Sequence, residues 1–307
     1  MISERAINEM NTESIMNTER DQLKIFVRGA YDIQKQRIQT GNRIAANFKA
    51  KLGQAPSQKE EDGIDAEGQK ILKNLRLSYR RLTDGIVGFP RQAGFKGDEI
   101  ISSYTELCLV SQYIDQEESE TKHFRNLEKM LREFPIYRDF LVNIHGVGPA
   151  MAGVIISEID ITQAQYPSSL WKYAGLDVAG DGNGRSRKKE HLVEVAYTSK
   201  DGKEKTRVGI TFNPFLKTKL VGVLGSSFIK QSAAKCEYRR IYDDYKHRLE
   251  SNPAHQEKTK LHRHNMAVRY MIKRFLADLY AHWRALEGLP VATEYAEGKL
   301  GIKHRAA

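Results

Sequence analysis

Apolar residues recur at helical spacing over most of the chain. Residues 14–51 are polar, with a modest stripe of Leu23, Ile25, Phe26, Ala30 and Ile33, and this pattern predicts a helix. Residues 52–68 are rich in Gly, Pro, Ser and acids and predict an exposed loop. A helix is expected again over 69–83, then a loop carrying Gly85, Gly88, Pro90 and Gly94. Residues 98–133 form a long amphipathic pattern with a break expected near Gln116. Its second half, Glu117 to Glu133, is dense in charge of both signs, which reads as a solvated helix face or a short coiled coil.

The most informative stretch is Leu141 to Ile159. Phe140, Leu141 and Ile144 fall on one helical face, and the pattern then stops at His145-Gly146-Val147-Gly148. Gly146 and Gly148 are expected to turn the backbone with positive φ and to allow a close approach. Pro149 suits the first turn of the next helix, where a missing N–H costs nothing. Ala150, Ala152 and Gly153 keep that helix thin. A helix, a Gly-Val-Gly turn and a second helix make a helix-hairpin-helix pattern. Its free backbone N–H groups at a helix N-terminus suit a phosphate, so the pattern points to a grip on the nucleic-acid backbone without base reading. A plain tight connection between helices is the alternative. A dinucleotide fingerprint is not supported, because no strand precedes the glycines, and no phosphate loop ending in Lys-Ser or Lys-Thr occurs.

Past this stretch, Tyr166 to Leu176 predicts a short helix capped by Ser168 or Ser169 and ended by Gly175. Gly180 to Lys189 is Gly-rich and then strongly basic. Residues 191–212 alternate around a Ser199–Gly202 turn and predict a β-hairpin. Helices are expected over 214–232, 235–250 and 257–286. The last carries a core stripe of Met266, Val268, Met271, Ile272, Phe275, Leu276, Leu279 and Trp283, with Arg263, Arg269, Lys273 and Arg274 opposite. The expected fold is therefore mainly α, with a helix-hairpin-helix core, one inserted β-hairpin and a long N-terminal helical or coiled-coil region. The expected division is a helical region over 1–134, a nucleic-acid-binding domain over 135–290 and a tail over 291–307.

Charge narrows the partner. The 307 residues carry a formal net charge of +10, which favours a polyanion. No apolar run is long enough to cross a bilayer. Glu4, Glu9 and Glu13 with no apolar core do not read as a secretory leader, so a cytoplasmic, nucleoid-associated protein is expected. Cys108 and Cys236 stand far apart, with no zinc spacing. His262 and His264, two apart on a helix, diverge and are poor joint metal ligands. No metal site is expected from the residues themselves.

Several landmarks occur in one order: Ile144-His145-Gly146-Val147-Gly148, Glu158-Ile159, Leu170 to Leu176, the basic Gly-rich stretch, Leu216 to Ser227, Arg239 to Tyr245, and Asn265 to Trp283. Together they resemble the C-terminal domain of the DEDD insertion-sequence transposases, the insertion sequence 110/116/902 family, over roughly residues 135–290. The hairpin over 191–212 is an insertion relative to that pattern. The resemblance implies a DNA-gripping domain with a serine nucleophile, joined to an RNase-H-like half whose four carboxylates hold divalent metal. Asn183 stands where the resemblance places the serine, and Ser186 is the nearby candidate nucleophile. Gly63-Ile64-Asp65 matches the first carboxylate pattern, but no strand precedes it, so Asp65 reads as a loop residue and the metal-binding half is not legible.

The expected function is sequence-independent DNA binding through His145, Gly146, Val147, Gly148, Lys172, Arg185, Arg187, Lys188, Lys189, Arg269 and Lys273. One alternative is an active transposase or recombinase, using Ser186 or a metal domain from another chain, with magnesium as cofactor. A second is a helical interaction protein that forms homo-oligomers through residues 98–133.

Overall fold

The computed structural model describes residues 4–53 and 63–293, with side chains from Glu19 onward. The described residues are mainly helical, with one two-stranded antiparallel sheet among them. It forms two compact units, residues 25–127 and residues 1–24 with 128–307. No helix among the described residues is long and apolar enough to cross a membrane.

The first unit is built from the later part of α1 (Glu4–Lys51), α2 (Ala66–Thr83) and most of α3 (Tyr104–Leu131). Its core is Ile44, Ile71, Leu72, Leu75, Ile101, Leu107, Val110 and Tyr113. Helix α2 starts three residues before the expected Gln69, because the Asp65 carboxylate accepts the Gly68 N–H at 2.6 Å and caps the helix. The loop expected over 52–68 falls partly on residues outside those described.

The amphipathic pattern from 98 resolves differently from expectation. Asp98 accepts the N–H groups of Ile100 and Ile101 at 2.8 and 2.7 Å, and the Ser78 hydroxyl at 2.7 Å, so residues 98–103 fold as a tight turn. Ser103 and Glu106 exchange side-chain-to-backbone hydrogen bonds of 3.2 and 3.3 Å as a capping box, and the helix begins at Tyr104. The expected break near Gln116 is absent; α3 runs unbroken to Leu131, with no Gly or Pro to interrupt it.

In the second unit the helical pattern from Phe134 divides into α4 (Pro135–Asp139) and a 3₁₀ turn over Leu141–Asn143. A tight turn leads into α5 (Pro149–Glu158), whose residues from Met151 onward are all buried. Helix α6 (Pro167–Tyr173) has Tyr166, not Ser168 or Ser169, at its N-cap: Pro167 takes the first helical position and needs no partner for a missing N–H. Gly175 ends it at φ +63°, as expected. Strands β1 (Val193–Thr198) and β2 (Glu204–Gly209) pair Val193 with Gly209 and Thr198 with Glu204.

The expected helix over 214–232 is α7 (Pro214–Thr218), a π-helical stretch over Lys219–Leu224 and α8 (Gly225–Lys230). Helices α9 (Glu237–Ser251) and α10 (Lys260–Leu286) complete the unit, and α10 is its spine. Every residue of the predicted α10 stripe is buried except Met266, which is half-buried. Phe275 of this stripe meets Phe228 and Tyr238 edge-on at ring-centroid distances of 5.6 and 5.4 Å, and Phe228 and Tyr238 stack on each other at 4.8 Å. The buried Arg284 guanidinium donates to the carbonyls of Ile161, Ala164 and Pro290, at 3.2, 2.8 and 2.6 Å, fastening the segment after α5 and the chain just past α10 to this helix. The expected tail over 291–307 lies mostly outside the described residues.

Candidate nucleic-acid interface

Two places in the second unit gather the residues expected to bind DNA. The first is the turn before α5. Gly146 has φ +100°, and a Cβ there would lie 2.8 Å from the Phe228 ring. Its carbonyl accepts the Ser227 hydroxyl at 2.7 Å, and the His145 carbonyl accepts the Cys236 thiol at 3.4 Å. Gly146 is therefore a glycine for reasons inside the protein. Gly148 departs from expectation: its φ is −93°, because it serves as the N-cap of α5 in extended backbone. A Cβ on Gly148 would meet nothing within 4 Å. The Val147 N–H also does not point outward but donates to the Ile144 carbonyl at 3.0 Å. His145 and Gly148 are exposed, and no side chain caps α5.

The second place is the loop from Asp177 to His191. Gly184 pairs with Val178 across a bridge, and the Ala179 N–H donates to the Asn183 carbonyl at 2.7 Å, which folds 177–185 back on itself. Arg185 does not face solvent. It clasps Asp177 through Nε at 3.0 Å and Nη2 at 2.8 Å. Arg269 donates to the carbonyls of Gly175 and Asp177 at 3.2 and 3.1 Å. A Cβ on Gly184 would be 2.6 Å from its guanidinium carbon. Lys273 lies over the Trp171 ring at 5.4 Å, and Trp171 Nε1 donates to the Lys273 carbonyl at 3.0 Å. Arg187, Lys188, Lys189 and, at the end of α6, Lys172 are exposed.

A cation that sequence reasoning missed joins this group. Lys217 on α7 donates to the Arg185 carbonyl and sits 4.5 Å from the centre of the Phe212 ring. Burial, reinforced by the charges of Arg269 and Arg187, brings its ammonium down to about 8, against the opposing pull of Asp177. Burial likewise lowers Arg269 and Lys273 from their ordinary values. Asp177 is the carboxylate set among these cations, and its Oδ1 is buried without a hydrogen-bond partner. No periodicity marks Lys217 as part of the site, since it reaches the loop only through the fold.

The same loop holds a second feature invisible to spacing arguments. The Ser186 hydroxyl lies 2.8 Å from Nδ1 of the buried His191, whose Nε2 lies 3.1 Å from Asp181 Oδ2. Asn183 donates to both Asp181 oxygens, from its N–H and its Nδ2, each at 2.9 Å. These bonds, with His191, hold the Asp181 carboxyl well below the usual carboxylate range. Asn183, which stands where the family resemblance places a serine, fixes Asp181 instead.

Among the described residues no group of three or more His, Cys, Asp or Glu side chains converges on one point, and Asp65 caps α2. Comparison of the chain with protein-family models, with curated proteins and with solved structures finds no match in any of the three.

Proposed function

We propose that this protein binds DNA through its phosphate backbone, with the Gly146–Gly148 turn acting as a helix-hairpin-helix and the 185–189 loop as a basic clamp. The observation that carries this reading is the concentration of cations on one loop. Arg187, Lys188 and Lys189 are exposed on that loop, Arg187 and Arg269 act on the charge of Lys217, and Asp177, Asp181 and Glu190 offset only part of the total. Positive charge held together against its own repulsion is stabilised by an anion, and a polyanion supplies many at once. Roles divide within the expected set. Arg187, Lys188, Lys189 and Lys172 are exposed and can meet phosphates, whereas Arg185 and Arg269 build the loop that presents them and Lys273 packs on Trp171. The chain then resembles an insertion-sequence transposase C-terminal domain acting as a DNA clamp. Fluorescence anisotropy with unrelated duplexes tests this. Binding is expected to be nearly independent of sequence and to weaken steeply with salt. Binding that is absent or insensitive to salt refutes it and favours a helical interaction protein.

A second reading is an active transposase or recombinase in which Ser186 attacks a DNA phosphate. One observation favours it: the Ser186 hydroxyl is hydrogen-bonded to a buried histidine. A strand-cleavage assay with magnesium or manganese tests it, since activity lost in Ser186→Ala with DNA binding retained would establish this reading.

A further inference from the structure

The partners of His191 settle where its proton lies. The Ser186 main-chain N–H donates to Nδ1 at 3.0 Å, so Nδ1 carries the lone pair. Nε2 then carries the proton and donates it to Asp181 at 3.1 Å. The Ser186 hydroxyl, 2.8 Å from the same Nδ1, is a second donor that shares that one lone pair with the main-chain N–H. A loop brace would be complete with the Ser186 N–H and the Asp181 carboxylate alone. The hydroxyl on the lone pair is the additional element, and it is what a nucleophile requires of its base.

The surroundings suit such a role. The imidazole is only 3 % exposed, so its orientation is held by the protein. Ser186 itself is half-buried and reachable. The Lys188 N–H donates to Ser186 Oγ at 3.3 Å. Lys217 donates to the carbonyl of Arg185, the residue before Ser186, and the exposed Arg187 follows it.

We infer that Asp181, His191 and Ser186 form a proton relay in which His191 is the general base for Ser186 and Asp181 is its positioning residue. The inference rests on the second reading above. In the step it serves, Ser186 Oγ forms a bond to the phosphorus of a phosphodiester. The Ser186 main-chain N–H gives up its bond to His191 Nδ1, the hydroxyl proton passes to that nitrogen, and one P–O ester bond breaks. The departing oxygen takes the proton from the imidazolium and leaves as a hydroxyl. Atoms and charge balance without a further reactant, and the chain is left joined to one strand end through a phosphoserine diester.

The test uses the full chain and a fluorescent alkyl fluorophosphonate, which contains no nucleic acid. Attack by Ser186 Oγ on its phosphorus expels fluoride and leaves a covalent label, located by peptide mass spectrometry. The expected result is labelling at Ser186 that is absent in Ser186→Ala. His191→Ala is expected to slow labelling by about a hundredfold, within the usual range for general-base assistance, with an unchanged circular dichroism spectrum. Added imidazole is expected to restore part of the rate, which a purely structural role would not allow. Asp181→Asn is expected to slow labelling, and Asp181→Glu to restore part of it. An unlabelled Ser186 in the folded parent overturns the relay, as does a labelling rate indifferent to His191. DNA binding measured on the same variants separates the two questions, because loss of DNA binding leaves a reactive Ser186 standing and an inert Ser186 leaves DNA binding standing.

Discussion

Two glycines two residues apart have opposite reasons to be glycine, and a paired substitution separates them. At Gly146 the backbone has φ +100°, and an added Cβ would lie 2.8 Å from the Phe228 ring. A left-handed backbone costs an L-residue about 1–2 kcal/mol. Forcing a methyl against a packed ring adds about 1–3 kcal/mol. Gly146→Ala is therefore expected to lose roughly 2–5 kcal/mol, a large part of the ~5–15 kcal/mol that typically holds a domain together. The urea midpoint should fall by about 1 M or more. Gly148 has φ −93°, and a Cβ there meets nothing within 4 Å. Gly148→Val should stay within about 1 kcal/mol of the parent, the usual scale of an apolar residue at an N-cap. Because the protein offers that Cβ no obstacle, any effect on binding must come from the ligand side. We expect Gly148→Val to weaken duplex binding at least tenfold, about 1.4 kcal/mol, with its urea midpoint nearly unmoved. Urea denaturation and anisotropy at one salt concentration measure both quantities. A Gly148→Val protein that binds like the parent would reduce the turn to a plain connection between helices. A Gly146→Ala protein with the parental midpoint would show that Phe228 gives way, and the strain argument would fail.

Replacing both Arg187 and Lys188 with Ala should weaken binding to unrelated duplexes alike and flatten the log–log salt slope by up to about two units; a sequence preference above about a hundredfold in the parent would contradict backbone binding. Lys217, with its ammonium brought down to about 8, is fully charged only below that pH. Its folded value lies below its unfolded one, so the stability it withholds at neutral pH is regained as pH climbs from about 8 towards the ordinary lysine value. Chemical denaturation at pH 7 and pH 10 should show this gain in the parent and not in Lys217→Met. Asp181 is depressed in the folded loop, so its contribution is present above the ordinary carboxylate value and is lost as pH falls below about 4. Amide exchange over residues 182–191 should accelerate in that acid range, and an unchanged rate would separate Asp181 from the order of the loop.

The sequence alone determined the elements whose cause is local. The helical stripe of α10, from Val268 to Trp283, follows from spacing, and that stripe is buried. The hairpin follows from alternation around the Ser199–Gly202 turn, and the end of α6 from Gly175. Each needs only neighbours within a few residues. Caps were harder to read, because competing donors and acceptors nearby decide them. Asp65, Asp98 and the Ser103–Glu106 pair set the ends of α2 and α3 at places that hydrophobic periodicity does not mark. The basic loop was legible as charge, but not which cations are spent inside the protein. Arg185 and Arg269 look as free as Arg187 until Asp177 and the Gly175 carbonyl are brought to them. Lys217, thirty-two residues beyond Arg185, reaches its carbonyl only once α7 is set beside the loop. Ser186, Asp181 and His191 are close in sequence, yet an irregular loop has no period from which their alignment could be read. Hydrogen bonds that close such a loop depend on its three-dimensional path, and the tertiary structure alone supplies that path.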